Sequence, residues 1–156
     1  MQLSDIIASN AVFPSLRAAS KKQVLQELSN AAAKLTGLDA RQIFESLLQR
    51  EKLGSTGLGQ GIAIPHAKFP ELDGVQGLFA RLGQPVDFDS PDDQPVDLVF
   101  LLLAPESAGA DHLKALARIS RLLRDPALVG KLRGTDDAAA LYAILTEPAA
   151  SASHAA

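Results

Sequence analysis

The run Val96-Asp-Leu-Val-Phe-Leu-Leu-Leu-Ala104 limits what this chain can fold into more than any other stretch. After Asp97 every position is apolar, so whatever the run forms must be covered on both faces. A helix that crosses a bilayer needs about 20 apolar residues, and Leu98 to Ala104 is far too short for that. A buried strand needs only a handful, and uninterrupted apolar character marks a strand packed on both sides. The run therefore predicts a central strand in a sheet with helices on each face.

The rest of the chain supplies those partners. Ser20 and Gln23 form a capping-box pattern, Val24, Leu25, Leu28, Ala31, Ala32 and Leu35 follow on one helical face, and Gly37 ends the segment. Asp39 with Gln42 repeats the start signal before Ile43, Phe44, Leu47 and Leu48, with Gly54 as the stop. A short opening helix is expected around Ser4 to Ala8. Ile62 to Pro65 and Val75 to Leu82 read as strands between Gly, Pro and Asp residues, and Val86 to Phe88 as a short edge strand. Helical spacing returns from Asp111 through Leu123 until Asp125-Pro126, followed by a brief helix over Leu128 to Leu132. A last helix runs from a Thr135 cap to Leu145. Helices, then strands, then helices predict a single α/β sandwich, a small mixed sheet flanked by helices on both faces.

The length of 156 residues suits one domain, expected over residues 1–147. Residues 148–156, PAASASHAA, hold nothing apolar larger than alanine and are expected to form a disordered tail that includes His154. The absence of cysteine excludes disulfides, thiolate catalysis and cysteine-ligated zinc. A formal net charge of -3 argues against broad capture of nucleic acid, although Arg118, Arg121 and Arg124 make a local basic patch. The first residues have neither the basic nor the apolar region of a signal peptide. A cytoplasmic protein without membrane insertion is the expectation.

The chemistry concentrates in Gln49 to Lys68, QREKLGSTGLGQGIAIPHAK. Gly54, Gly57, Gly59 and Gly61 fall within eight positions. Such a loop can bring backbone N–H groups close to an anion, although the glycines by themselves favour a tight turn with positive φ. The phosphate-loop pattern fails because Gln60-Gly61 stands where Lys-[Ser/Thr] is required. The dinucleotide fingerprint fails because a helix precedes the glycines and a strand follows them. His66 changes the weighing, because it follows Pro65 at the predicted end of a strand, where ligands of α/β sheets tend to bind. A neutral imidazole with one nitrogen held by an acceptor offers the other as a nucleophile, including towards phosphorus. A half-buried structural histidine is the competing reading.

His112 starts the long helix after the central strand. If that strand runs parallel to and near Ile62–Pro65, both histidines emerge at one end of the sheet, where His112 and its helix N-terminus could face an anion. A solvated first-turn residue is the equal alternative. A phosphoryl group would need donors. Arg50, Ser55, Thr56 and His112 are the candidates, with Lys52 and Lys68 weaker, and Arg50 leads because a guanidinium grips two oxygens at once.

REKLGSTGLGQGIAIPHA, Arg50 to Ala67, resembles the active-site signature of the fructose/mannitol-type enzyme IIA domains of the bacterial phosphotransferase system, above all the nitrogen-regulatory enzyme IIA type. QPVDLVFLLLAPESAGADHLKALARISRLLRD, Gln94 to Asp125, resembles the second block of that family, and the likeness spans about Leu3 to Leu145. The resemblance implies that His66 is the phosphorylated histidine, through Nε2, that His112 supports it, that Arg50 lies beside it and that Ser55 and Thr56 form the polar pair of the loop. It implies a mixed α/β sandwich, no cofactor and no metal. It also implies a phosphorylated HPr-like (NPr) donor, regulatory targets such as potassium-transport proteins or sensor kinases, and room for a weak homodimer. Ala67 stands where glycine is common. A sugar-specific enzyme IIA that passes phosphate to a separate enzyme IIB is the nearest alternative. A metal-dependent hydrolase built on His66, His112 and Asp111, and a pure interaction module using the helix Asp111–Arg124, are more distant ones.

Overall fold

The computed structural model describes residues 2–147, and the expected tail 148–156 lies outside the described residues. In chain order the elements are α1 (Leu3–Ile6), β1 (Ile7–Leu16), α2 (Lys21–Thr36), α3 (Ala40–Lys52), β2 (Gly57–Gly59), β3 (Ile62–Ala63), β4 (His66–Phe69), β5 (Gln76–Val86), β6 (Val96–Pro105), α4 (Ala110–Leu122), α5 (Pro126–Arg133) and α6 (Ala138–Thr146).

The apolar run is the axis of the sheet. The strand order is β1-β5-β6-β3-β2, with β4 also paired to β6. Along one side of β6 runs antiparallel β5, from Val86 opposite Val96 to Gln76 opposite Leu103. Along the other side lie β3 and then β4, both parallel, with Ile62 opposite Leu98 and His66 opposite Leu102. Leu98 to Ala104 is fully buried throughout, which requires layers on both faces. Helices α2 and α3 pack on each other and reach β1, β4 and β5, while α4 lies against β6 and α6 against β1. The mixed α/β sandwich expected from the sequence is the fold observed.

Local chemistry sets the element ends. Ser20 Oγ accepts from the Gln23 amide, and Gln23 Oε1 reaches back to the Ala19 amide instead of Ser20 itself. Gly37 takes φ 79° at the end of α2, a left-handed conformation that glycine adopts without penalty. Asp39 caps α3 through the Gln42 amide.

Several boundaries differ from expectation for definite reasons. The opening helix is confined to Leu3–Ile6, because the chain enters the edge strand β1 at Ile7. Val86 is the last residue of a long, irregular β5, not part of a separate edge strand. Asp137 caps α6 by accepting from Ala140 N, and Thr135 instead accepts from Asp137 N. Pro126 does end the preceding helix, and it also opens α5, where a missing N–H costs nothing.

The expected strand Ile62–Pro65 is shorter than predicted. It stops at Ala63, and the chain rejoins the same side of β6 at His66. Pro65 has no N–H for the ladder. Ile64 turns its own N–H to Thr56 O at 3.0 Å, while Pro65 O still accepts from Leu102 N at 2.9 Å. His66 thus sits at a break within a strand position, and the backbone on either side of the break is hydrogen-bonded.

Candidate functional site

The break in the strand creates the first feature of the site. Ile64 O is free of the ladder and lies 2.9 Å from His66 Nδ1. A carbonyl can only accept, so Nδ1 carries the proton and Nε2 carries the lone pair. On that side Arg50, from the last turn of α3, donates Nε–H to His66 Nε2 at 3.3 Å. Its Nη1 donates to Gly54 O at 3.0 Å, which fixes the guanidinium across the start of the glycine-rich segment.

His112 reaches the same place from the first turn of α4. Its ring centroid is 5.6 Å from that of His66, with the planes tilted by 52°. The parallel register of β3 and β4 against β6 brings the two together, as the sequence argument required. His112 is not a solvated first-turn residue, since it is only 6% exposed. Its Nδ1 is buried without a partner among the described residues. Burial holds the pKa of both rings below the ordinary 6.5. At His66 the Ile64 carbonyl opposes that shift, Arg50 and Lys68 reinforce it, and Glu51 opposes it. At His112 the charges of His66 and Lys68 add to the burial effect. Both rings are therefore neutral at pH 7.

A cleft of about 230 Å³ opens over His66, lined by Arg50, Ser55, Thr56, Gly57 and Leu58 on the loop side and by Leu116 and Ser120 of α4 opposite. Ser55 and Thr56 line it with their hydroxyl protons already placed. Ser55 Oγ donates to Phe88 O at 2.6 Å, and Thr56 Oγ1 donates to the Glu51 carboxylate.

The glycines act mainly in shaping a hairpin. β2 and β3 pair antiparallel across Gln60-Gly61, whose φ values of 58° and 82° are both left-handed. Two such residues make the turn that suits the twist of a tight hairpin. The amides of Thr56, Gly57 and Gln60 bond Glu51, Ser55 Oγ and Asp92 respectively. Arg133 of α5 pins the tip by donating to Gln60 O and to both Asp97 oxygens.

Two residues near the site escaped the sequence reading. Glu51 and Lys21 are joined across α3 and α2 by a 3.0 Å ion pair, with the Glu51 side chain almost wholly enclosed. A charge pattern alone could not single them out, because helix-end lysines and glutamates are usually solvated. Lys52 and Lys68, the weaker candidates, are both exposed. Asp111 is exposed too, and among the described residues no three His, Cys, Asp or Glu side chains gather as a metal-binding group. Among the described residues no helix is long and apolar enough to cross a membrane.

Comparison with known proteins defines the class. The family model described as the phosphoenolpyruvate-dependent sugar phosphotransferase system, EIIA 2, matches residues 5–147, so the chain belongs to that family. Within the family, its end-to-end likeness is to the nitrogen regulatory type. A nitrogen regulatory protein of Bradyrhizobium diazoefficiens is 60% identical over 152 residues, which cover 97% of this chain and 99% of that one. A nitrogen regulatory protein of Escherichia coli K12 is 40% identical over 149 residues, 94% of this chain and 91% of that one. The crystal structure of nitrogen regulatory protein IIA-Ntr from Neisseria meningitidis matches with a TM-score of 0.87 at 36% identity, over 92% of this chain and 99% of that one.

Proposed function

We propose that this protein is a cytoplasmic phosphocarrier of the nitrogen-regulatory branch, which accepts a phosphoryl group on His66 Nε2 from a phosphorylated HPr-like (NPr) carrier. The observation that carries the reading is the pairing of His66 Nδ1 with Ile64 O, which leaves Nε2 as the nucleophile and turns it towards the cleft residue Arg50.

The step is an exchange of one N–P bond for another. The lone pair on His66 Nε2 attacks phosphorus as the donor's N–P bond breaks, and the electron pair of that bond leaves with the donor imidazole. The His66 ring gains positive charge as the new bond forms, and the Ile64 carbonyl steadies it through Nδ1–H. The three equatorial oxygens carry the negative charge of a loose transition state. Arg50 is within reach to shift its N–H from Nε2 to one of those oxygens, and His112 is the second group of the site that can donate. Ser55 and Thr56 shape the loop wall, and they act as direct phosphoryl donors only if their present bonds open. The reaction needs neither metal nor nucleotide, because the phosphoryl group arrives already activated on nitrogen.

The phosphorylated and free forms differ by roughly two negative charges at the mouth of the cleft, enough to change which protein docks there. Leu58 and Leu113 are exposed beside the site and offer apolar contact to such a partner. Regulatory targets among potassium-transport proteins and sensor kinases fit this reading.

Incubation with a phosphorylated NPr-type donor, followed by location of an acid-labile, base-stable adduct by mass spectrometry in non-acidic solution, tests the proposal. An adduct on His66 that disappears in His66→Ala is the expected result. Labelling elsewhere, or none, would overturn it. Onward transfer to an enzyme IIB would instead mark a sugar-transport component.

A further inference from the structure

Two charged residues near the site stand where local helix physics disfavours them. Lys21 is the first residue of α2, at the positive end of the helix dipole, and Glu51 is in the last turn of α3, at the negative end. Glu51 is also 7% exposed, although a buried carboxylate is costly unless fully paired. Local rules broken in this way and compensated by one another are found where a site demands them.

The compensation is specific. Lys21 Nζ lies 3.0 Å from Glu51 Oε1 and 3.6 Å from Asp89, and sits 4.9 Å above the centre of the Phe88 ring. Glu51 Oε1 also accepts from the Thr56 amide at 3.0 Å, and Oε2 accepts from the Thr56 hydroxyl. The next residue back, Arg50, holds Gly54 O and His66 Nε2. The short segment Gly54-Ser55-Thr56 is thus held at one end by Arg50 and at the other by Glu51, while Lys21 braces Glu51 from a second helix.

Resting on the phosphocarrier reading above, we infer that Glu51, braced by Lys21 and gripping Thr56, is a positioning residue that sets the Arg50 guanidinium on His66 for phosphoryl transfer. Glu51 need not touch phosphate to do this. Release of Thr56 frees Gly54, the anchor of Arg50 Nη1, and Arg50 then loses the geometry that places its Nε on the attacking nitrogen. Misplacement of a reacting group by about 1 Å costs about a hundredfold in rate, so the effect falls on the transfer step and leaves donor docking unchanged.

The test compares Glu51→Gln, Lys21→Met, Thr56→Val and Thr56→Ser in single-turnover transfer from a phosphorylated NPr-type donor, with thermal unfolding of each as a check on folding. Glu51→Gln and Thr56→Val should lower the maximal rate about ten- to a hundredfold with the half-saturating donor concentration unchanged. Thr56→Ser keeps the hydroxyl and should recover most of that loss, which a simple packing role would not predict. A second readout needs no phosphate. Nitrogen-15 NMR of the His66 ring reports its tautomer and its titration among Arg50, Glu51, Lys68 and His112. In Glu51→Gln the titration should move further down, and the Arg50 Nε–H signal should lose its coupling to His66. Folded Glu51→Gln and Thr56→Val proteins that match the wild type in rate and in the His66 spectrum would overturn the inference. A wild type that takes up no phosphate on His66 while the spectra change as stated would overturn the phosphocarrier reading and leave the positioning of Arg50 established.

Discussion

Arg50 Nε and His66 Nε2 lie 3.3 Å apart, with Ile64 O on the opposite nitrogen at 2.9 Å, so both ring nitrogens are engaged in the resting protein. The two contacts are unequal in kind. The bond to Ile64 comes from backbone locked beside β6 and cannot move without the sheet. The bond from Arg50 is long and comes from a flexible side chain. In the proposed transfer, the attacking lone pair is therefore guarded by a donor that can move away, while the proton on the other nitrogen is held by an acceptor that cannot.

That asymmetry sets the consequence of losing Arg50. Arg50→Ala should lower the rate of phosphoryl uptake by about 10²–10³-fold, the usual loss for one donor to a developing oxyanion. Arg50→Lys keeps a charge but not the fork that spans Gly54 O and His66, so it should fall between alanine and wild type. Rapid-quench measurement with a phosphorylated donor checks both. Equal rates in Arg50→Ala and wild type would remove Arg50 from the chemistry.

His112 predicts a different signature. It is enclosed by protein, its ring lies 5.6 Å from that of His66, and its buried Nδ1 has no partner among the described residues, so in the proposed transfer a phosphoryl group on His66 is the acceptor within its neighbourhood. His112→Asn retains a donor, and His112→Leu fills similar space without one. The asparagine variant should keep more of the transfer rate, while the leucine variant should match or exceed the wild type in thermal stability, because it removes a buried group without a partner. A leucine variant that transfers phosphate at full rate would show that His112 serves packing alone.

The central strand was legible because Leu98 to Ala104 tolerates no other placement, whereas the histidine pair was legible only on the condition that the strand leading to His66 runs parallel to it, which the pairing of β3 and β4 with β6 meets. The helices were legible from Ser20, Asp39 and Gly37, each of which acts as its residue type predicts. β1 was not legible. Ile7, Ala11 and Val12 lack the alternation of a half-buried strand, its register on β5 shifts twice, and Pro14 is tolerated only because the strand lies at the edge. β2 was hidden for another reason, since Gly-Leu-Gly carries no strand propensity and pairs only because Gln60-Gly61 folds it back. The glycine-rich loop suggested an anion cradle, and the structure spends its Thr56, Gly57 and Gln60 amides on Glu51, Ser55 and Asp92. Glu51 itself could not be found from sequence, because Lys21 meets it only through the packing of α2 on α3 and Thr56 only through the way the chain folds back after α3.

Gly57 shows how closely the hairpin approaches its neighbour. A Cβ on Gly57 would overlap Ser90 Oγ, itself buried without a hydrogen-bond partner among the described residues. Gly57→Ala should destabilise the fold by about 1–3 kcal/mol, read as a lowered denaturation midpoint. Ser90→Ala removes the clashing oxygen, so the double variant should recover part of the loss. Strictly additive effects would mean that the two positions do not meet.

The pH response follows from the lowered pKa values of His66 and His112. In the proposed transfer the His66 ring must be neutral to attack, and burial extends its neutral form below the ordinary 6.5. Phosphoryl uptake should therefore be fastest in neutral and alkaline solution and decline in acid, with the decline displaced to lower pH than that of an ordinary imidazole. Stability should change in the same direction. Between the depressed folded values and the ordinary unfolded value, the unfolded chain binds more protons than the folded one, so stability rises with pH in that window and is lost as the pH falls through it. At about pH 6.5 the unfolded histidines are still half protonated, so the histidine contribution fades only about one unit higher, where both states are neutral. The two rings lie 5.6 Å apart, so a proton on one hinders a proton on the other and the decline should be spread over two steps. His112→Leu should merge them into one. Chemical denaturation at pH 5.5 and 7.5, with and without that substitution, measures the effect, and a stability that increased on acidification would contradict the burial of both rings.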